Sequence, residues 1–136
     1  MEDCVFCKIV AGKIPCAKVY EDDFIISFLD IMPANRGHCL VLPKMHCETF
    51  LDIADKELEN LVKVTKKIAK SLSLSIGNGS FNLVMNNGAA AGQVVNHAHL
   101  HIIPRFKGDR LRIKWSHKKY EDGEMEEIQQ KIRKFM

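Results

Sequence analysis

The sequence predicts an α+β fold with a mostly antiparallel sheet, and three observations carry that prediction. Short apolar or alternating segments at 17–21, 24–29, 38–42 and 81–86 are bounded by Gly, Pro, Asn or paired Asp, the punctuation of strands. One long stretch of helical periodicity, about 56–72, separates three of these segments from the fourth, so strands and helices are segregated along the chain. The stretch Asn96-His97-Ala98-His99-Leu100-His101-Ile102-Ile103-Pro104-Arg105 alternates imidazoles with apolar side chains, the pattern of a half-buried strand.

Taken in order, residues 4–10 (Cys4-Val5-Phe6-Cys7-Lys8-Ile9-Val10) predict a short helix ended by Gly12, with Pro15 just beyond. Helical spacing puts Cys4 and Cys7 on one side of it. Asp22-Asp23 reads as a tight turn between the strands 17–21 and 24–29. Asp30 to Gly37 reads as a loop, and the strand 38–42 places His38, Leu40 and Leu42 on one face, Cys39 and Val41 on the other. Lys44, Met45 and His46 follow in a loop. The long helix has Asp55 as its expected N-cap. Leu58, Leu61, Val62, Thr65, Ile68, Ala69 and Leu72 form its apolar stripe, and Lys63, Lys66, Lys67 and Lys70 its wet side. Gly77-Asn78-Gly79 is a turn, and the small-residue run from Asn87 to Gln93 is a loop leading to the histidines. A basic stretch with Lys107, Arg110, Arg112, Lys114, Lys118 and Lys119 precedes a terminal helix, about 122–135, whose Met125, Ile128, Ile132 and Phe135 recur at helical spacing. That helix is expected to dock on the body or on a second subunit.

With 136 residues, 46% hydrophobic and 27% charged, the chain reads as one ordinary globular domain. The formal charge of +3 favours anionic partners only slightly and does not call for nucleic acid. The acidic opening Met1-Glu2-Asp3 and the absence of a long apolar run argue against a secretory signal or a membrane span. Five cysteines without such a signal point to a reducing, cytoplasmic setting with free or metal-bound thiols.

The three histidines share one strand face, about 6.6 Å apart along it. Imidazoles give less hydrophobic gain than Leu or Val, and both ring nitrogens need partners, so packing alone is a poor reason for three in register. A metal site, a nucleophilic imidazole beside an anion, and a purely structural row all fit the pattern. The metal reading finds partners in Cys4-x-x-Cys7, a spacing shared by redox pairs and half zinc sites. The anion reading finds them in the Gly88–Gln93 loop, where backbone N–H groups approach a phosphate closely and Asn86 and Gln93 bring amides.

At these residues the chain resembles the histidine triad family. His97-Ala98-His99-Leu100-His101-Ile102-Ile103 matches its signature, three histidines alternating with apolar residues. Phe6-Cys7-Lys8-Ile9, Ile14-Pro15, Phe28-Leu29-Asp30, Gly37-His38-x-Leu40-Val41-x-Pro43-Lys44-x-His46, Asn86-Asn87-Gly88 and Gly92-Gln93 follow the order of its Hint branch. The likeness covers residues 4–105, leaving 106–136 as a basic extension with a terminal helix.

The resemblance implies a five-stranded antiparallel sheet, a homodimer, and hydrolysis or nucleotidyl transfer at the α-phosphate of a purine nucleotide such as an AMP or GMP derivative. It implies His99 as the nucleophile and a nucleotidyl-histidine intermediate. His101, Gln93, Asn86 and the Gly92 backbone would contact the phosphate, and His38 would line the same pocket. Asp30 would hold the ribose, and Phe6, Ile9, Ile14, Phe28 and Ile31 the base. Cys4, Cys7, His46 and His97 would hold a structural zinc, while Cys16, Cys39 and Cys47 match no role. One departure concerns the leaving group: Val94 stands where Hint members often carry a serine. Phosphoramidase activity is the leading expectation. The alternatives are a dinucleoside polyphosphate hydrolase or a nucleotide-binding regulatory protein, with neither membrane nor specific nucleic acid as partner.

Overall fold

Helix α1, Val5–Val10, starts where the Cys4 thiol accepts the Cys7 N–H at 3.4 Å, an N-cap built from sulfur. The computed structural model describes residues 3–76 and 79–136, so Gly77 and Asn78 of the 77–79 turn lie outside the described residues. Strands β1, Lys18–Glu21, and β2, Ile25–Leu29, are joined by a turn that Asp22 closes: its carboxylate accepts N–H bonds from Phe24 and Ile25 at 2.8 and 2.7 Å.

Strand β3, Cys39–Pro43, is buried along its whole length, with β2 on one side and β5, Leu100–Pro104, on the other. Strand β4, Phe81–Val84, is an edge, giving the antiparallel order β1-β2-β3-β5-β4. The fold is therefore the α+β arrangement with a five-stranded antiparallel sheet. The alternation read in β3 holds: Cys39 and Val41 pack with Leu61, Val64, Ile68 and Ala69 under helix α2, Asp55–Ser75. Leu40 and Leu42 face the other way, with Phe6, Ile26 and Phe28.

Helix α2 corrects two readings. Its N-cap is Ala54, and Asp55 is the first helical residue, where its charge meets the positive end of the helix. Val64 is buried in the stripe while Val62 is 56% exposed. Helical periodicity leaves both positions near the edge of the apolar face, and the tilt of the helix on the sheet chooses between them. Lys67 lies over the Tyr20 ring at 5.0 Å. Gly37 has φ +85°, a left-handed conformation that strains any side chain, and a Cβ there would also push against Ile76 Cδ1 at the end of α2.

The histidine segment also differs from expectation. The β5 ladder begins at Leu100, so His97 and His99 precede the strand and only His101 lies in it. A tight bond from His97 N–H to the Val95 carbonyl bends the chain there, and Ala98 N–H reaches the Cys47 carbonyl instead of a ladder partner. The two-faced alternation survives that bend: Ala98 and Ile102 enter the α2-side core, and the histidines face the opposite side. At the far end, Arg105 bonds Asp109, Asn82 and the Leu111 carbonyl, while Asn35 bonds Asp109 and the Pro104 carbonyl. Residues 109–121 then run without helix or strand to α3, Glu124–Lys134, none of whose residues is buried. None of the described helices is long and apolar enough to cross a membrane.

Candidate active site and metal centre

On the face of the sheet away from α2, a cavity of about 430 Å³ opens between α1, the 30–37 loop and the histidine segment. Phe6, Ile9, Ile14, Phe28 and Ile31 line it, together with Asp30, Asn86, Gly92, His99 and His101. The expected base-binding residues thus meet in one apolar slot whose inner end is polar. Val5, Cys16, Leu40 and Val95 also line it. Of these, only Leu40 was legible, from its place beside His38 in the β3 alternation.

His38 and Gln93 stand behind the wall. The Gln93 amide is used within the loop: its Oε1 accepts Gly88 N–H at 2.7 Å, and its Nε2 donates to the Glu48 and Val95 carbonyls at 2.6 and 3.0 Å. It shapes the loop whose Gly92 reaches the cavity. Gly92 has φ +86°, a turn that favours glycine.

Backbone groups fix the protonation pattern of the histidines. The His97 carbonyl lies 2.6 Å from His99 Nδ1 and can only accept, so Nδ1 carries the proton and the Nε2 lone pair is free. Ala34 N–H donates to His38 Nδ1 at 3.0 Å, which leaves the His38 proton on Nε2. That Nε2–H donates to His101 Nδ1 at 2.8 Å, so neutral His101 presents an Nε2–H of its own. Asp30 Oδ2 lies 3.7 Å from His38 Nε2 and completes the row. Burial holds His38 below the usual imidazole range despite Asp30. Burial, with His99 and His38 alongside, brings His101 down to about 4, so both rings are neutral at pH 7. The His99 and His101 rings pack at 4.9 Å, and Phe6 sits edge-on to His99 at 5.0 Å. The result is a lone pair on one ring and a donor N–H on the next.

His97 turns away from this pair. Its Nε2–H donates to the Pro43 carbonyl at 2.8 Å, so the Nδ1 lone pair faces the two thiols. Cys4 Sγ lies 3.5 Å and Cys7 Sγ 3.6 Å from that nitrogen, and His46 Nδ1 lies 3.3 Å from Cys7 Sγ. All four donor atoms fall within 4.8 Å of one another. Zinc bonds of about 2.3 Å to sulfur and 2.0–2.1 Å to nitrogen, set tetrahedrally, require S···N edges of about 3.5 Å, and the observed edges fit. Asp30, His38 and His101 also cluster, but 2.8 Å between two ring nitrogens is a hydrogen bond, shorter than the roughly 3.3 Å between two tetrahedral imidazole ligands.

A second cavity of about 450 Å³ adjoins the first across Val5, Val94 and Val95, and Asp3, Glu48 and Asn96 give it a polar lining. Val94 stands on the shared rim, 91% exposed.

The model of the HIT domain matches residues 11–108. An uncharacterized HIT-like protein of Methanocaldococcus jannaschii is 46% identical over 130 residues, 96% of this chain and 98% of that one. The adenosine 5'-monophosphoramidase hnt1 of Schizosaccharomyces pombe is 42% identical over 102 residues, 75% of this chain and 74% of that one. Among solved structures, a HIT family protein of Bacillus anthracis is 36% identical and superposes with a TM-score of 0.92, covering 99% of this chain and 98% of that one. A zinc-bound histidine triad family protein of Mycobacterium smegmatis is 37% identical, with a TM-score of 0.77 over 86% of this chain and 85% of that one. With its triad segment, its five-stranded sheet and a family match over most of its length, the chain belongs to the HIT domain family.

Proposed function

We propose that the protein hydrolyses purine nucleoside phosphoramidates, AMP or GMP derivatives, at the α-phosphate through a nucleotidyl-histidine on His99. The observation that carries this reading is the bond from His99 Nδ1 to the His97 carbonyl at 2.6 Å, which commits Nε2 to attack. The Nε2 lone pair forms a bond to the α-phosphorus, the P–N bond breaks, and the amine leaves with a proton taken from water at the cavity mouth. Nδ1–H stays on the carbonyl and helps to spread the new imidazolium charge. His101 Nε2–H, held by His38, donates to a phosphate oxygen as its charge grows, with Asn86 and the Gly92 backbone beside it. Water then cleaves the nucleotidyl-histidine. Phe6, Ile9, Ile14, Phe28 and Ile31 hold the base, and Asp30 the ribose hydroxyls.

The adjoining cavity favours an amine over a polyphosphate as leaving group, because Asp3 and Glu48 repel a second anion. That argues against the dinucleoside polyphosphate reading. The hnt1 relative, an adenosine 5'-monophosphoramidase by name, agrees with this choice. The regulatory reading predicts that nucleotide binding, not turnover, is the conserved output of the site.

The Cys4, Cys7, His46 and His97 set suits zinc. Four protein donors close the coordination shell, so the metal would be structural and supply no chemistry to the reaction. It would tie α1, and with it Phe6, to the triad segment. Free or zinc-bound thiols of this kind suit a reducing compartment, which supports a cytoplasmic setting. We assign 4–105 as the catalytic domain. The groove between α2 and the open β4 edge, lined by Val62, Ala69, Phe81, Leu83 and Leu100, is the face for a second copy.

The test is turnover of adenosine 5'-phosphoramidate. His99→Ala is expected to lose at least a thousandfold in kcat with unchanged circular dichroism, and undiminished turnover would overturn the assignment.

A further inference from the structure

The loop between β2 and β3 carries Asp30 and Ile31 to the cavity and ends at His38, yet it has little packing of its own. Ile31, Met32, Pro33, Ala34 and Arg36 are exposed, and among residues 31–36 only Asn35 is half-buried. The Asn35 amide turns to the far end of β5: its Nδ2 donates to the Pro104 carbonyl at 2.9 Å and to Asp109 Oδ2 at 2.8 Å, so both amide protons are used.

What the amide holds is itself fixed. The Asp109 carboxylate accepts Arg105 Nε–H and Nη2–H at 2.8 and 3.0 Å, and the Phe106 and Leu111 N–H groups at 3.0 Å each. The Arg105 guanidinium holds its carboxyl well below the usual carboxylate range, so it stays an acceptor. Arg105 also donates to Asn82 on β4 at 2.8 Å. The root of the C-terminal arm, 105–111, is a fixed post, and Asn35 ties the loop to it. The backbone beside that tie serves His38. The Asn35 carbonyl accepts His38 N–H at 3.1 Å, and Ala34 N–H, one residue earlier, donates to His38 Nδ1 at 3.0 Å.

We propose that Asn35 is a positioning residue: by tying the loop to the Arg105–Asp109 post it keeps Ala34 N–H on His38 Nδ1, and so keeps His101 Nε2 a donor toward phosphate. The consequence is one of proton placement. With Nδ1 accepting from Ala34, the one proton of neutral His38 sits on Nε2 and goes to His101 Nδ1 at 2.8 Å. Asp30 Oδ2, at 3.7 Å from His38 Nε2, is too far to hold that proton alone. When Ala34 N–H moves away, the His38 proton can pass through water to Nδ1. His38 Nε2 then accepts, and the His101 proton moves from Nε2 to Nδ1 to make the bond. Each ring keeps one proton and no charge changes, but His101 now turns a lone pair toward the phosphate oxygens. Asp30 is anchored separately, its N–H on the His38 carbonyl at 2.9 Å, so the ribose contact survives and the loss falls on kcat more than on KM. The kinetic consequences rest on the hydrolase reading; the proton placement does not.

The experiment compares the full chain with Asn35→Ala and with Asn35→Asp, which has the same size but no amide donors. Two-bond ¹H–¹⁵N correlation spectra of the ligand-free protein read the tautomer of each imidazole. His38 is expected as Nε2–H in the unsubstituted chain, and both variants should populate Nδ1–H on His38 and on His101. Turnover of adenosine 5'-phosphoramidate should fall about tenfold in kcat, with KM changed by less than about threefold and circular dichroism unchanged. In a His38→Ala background the same substitutions should cost nothing further, because the ring they act through is gone. Asn82→Ala, which removes a bond from Arg105 and none from the loop, should leave kcat unchanged. Unaltered tautomers in both Asn35 variants would overturn the proposal, as would an undiminished further loss in the His38→Ala background or a matching loss in Asn82→Ala. An unsubstituted chain without turnover would overturn the hydrolase reading alone, and the tautomer spectra would still decide the role of Asn35.

Discussion

In the proposed reaction His99 depends on neighbours that decide where protons sit. One carbonyl and one backbone N–H, at 2.6 and 3.0 Å from His99 and His38, suffice to set both tautomers, and the His38–His101 bond passes the choice on. His38→Ala removes the donor to His101 Nδ1, so its proton is free to move to either nitrogen; kcat should fall roughly tenfold to a hundredfold with a small change in KM. Val94 is the opposite case, a site where a donor is missing. Val94→Ser places a hydroxyl on the rim between the two cavities, and phosphoramidate turnover should rise about tenfold, the worth of one hydrogen bond to the departing nitrogen. The depressed histidines also set a pH dependence. His101 titrates near 4 when folded and near 6.5 when unfolded, so below pH 6.5 the unfolded chain binds the extra proton. Its stability contribution is whole above pH 6.5 and is lost as pH falls toward 4, with His38 adding in the same direction. Urea midpoints at pH 7 and pH 5 should differ by on the order of 2 kcal/mol in unfolding free energy, with pH 5 the weaker.

At the scale of elements, α1 has one full turn and a half, too short to stand alone, and its Phe6 is its only buried residue. Phe6, Ile9 and Val10 pack it on the sheet, and Cys4 and Cys7 face His46 and His97. Cys7→Ser should lower the melting temperature by roughly 10 °C and abolish bound zinc in metal analysis. It should also raise KM for the nucleotide, since Phe6 lines the base slot, more than it lowers kcat. A variant that keeps its melting temperature and contains no zinc in either form would remove the metal from the account. The elements were largely legible. β3 was read correctly on both faces because each face has its own core, so its alternation is strict. Val62 against Val64 was not legible, because the tilt of a helix on a sheet is a tertiary property. Nor was the bend at His97: alternation marks which way side chains point, and it persists where ladder bonds do not. The clustered Cys4, Cys7, His46 and His97 were found through the family likeness, since spacing alone leaves Cys4-x-x-Cys7 ambiguous. The Pro43 carbonyl and Ala34 N–H, which orient His97 and His38, leave no trace in sequence because every residue offers a carbonyl and every residue but proline an N–H.

For the whole molecule, the sheet separates two tasks. One face packs α2 and makes the stable core; the other carries the cavity, the histidines and the thiol cluster. The edge at β4 and the groove beside it lie on the α2 side, away from the cavity and the histidines. If the proposed homodimer uses this face, Leu83→Asp, at 51% exposure in a single chain, should leave the chain folded and shift it from dimer to monomer in sedimentation. The domain and the arm meet at Arg105, where one guanidinium holds the end of β5 and the start of the extension. All of these tasks serve one claim, that His99 becomes covalently nucleotidylated. The direct measurement is a single-turnover reaction with a phosphoramidate, quenched in alkali and read by mass spectrometry of the intact protein and its peptides. The account predicts one nucleotidyl group on His99, formed and lost at rates matching turnover; turnover without an adduct, or an adduct on His101 or His38, would contradict it.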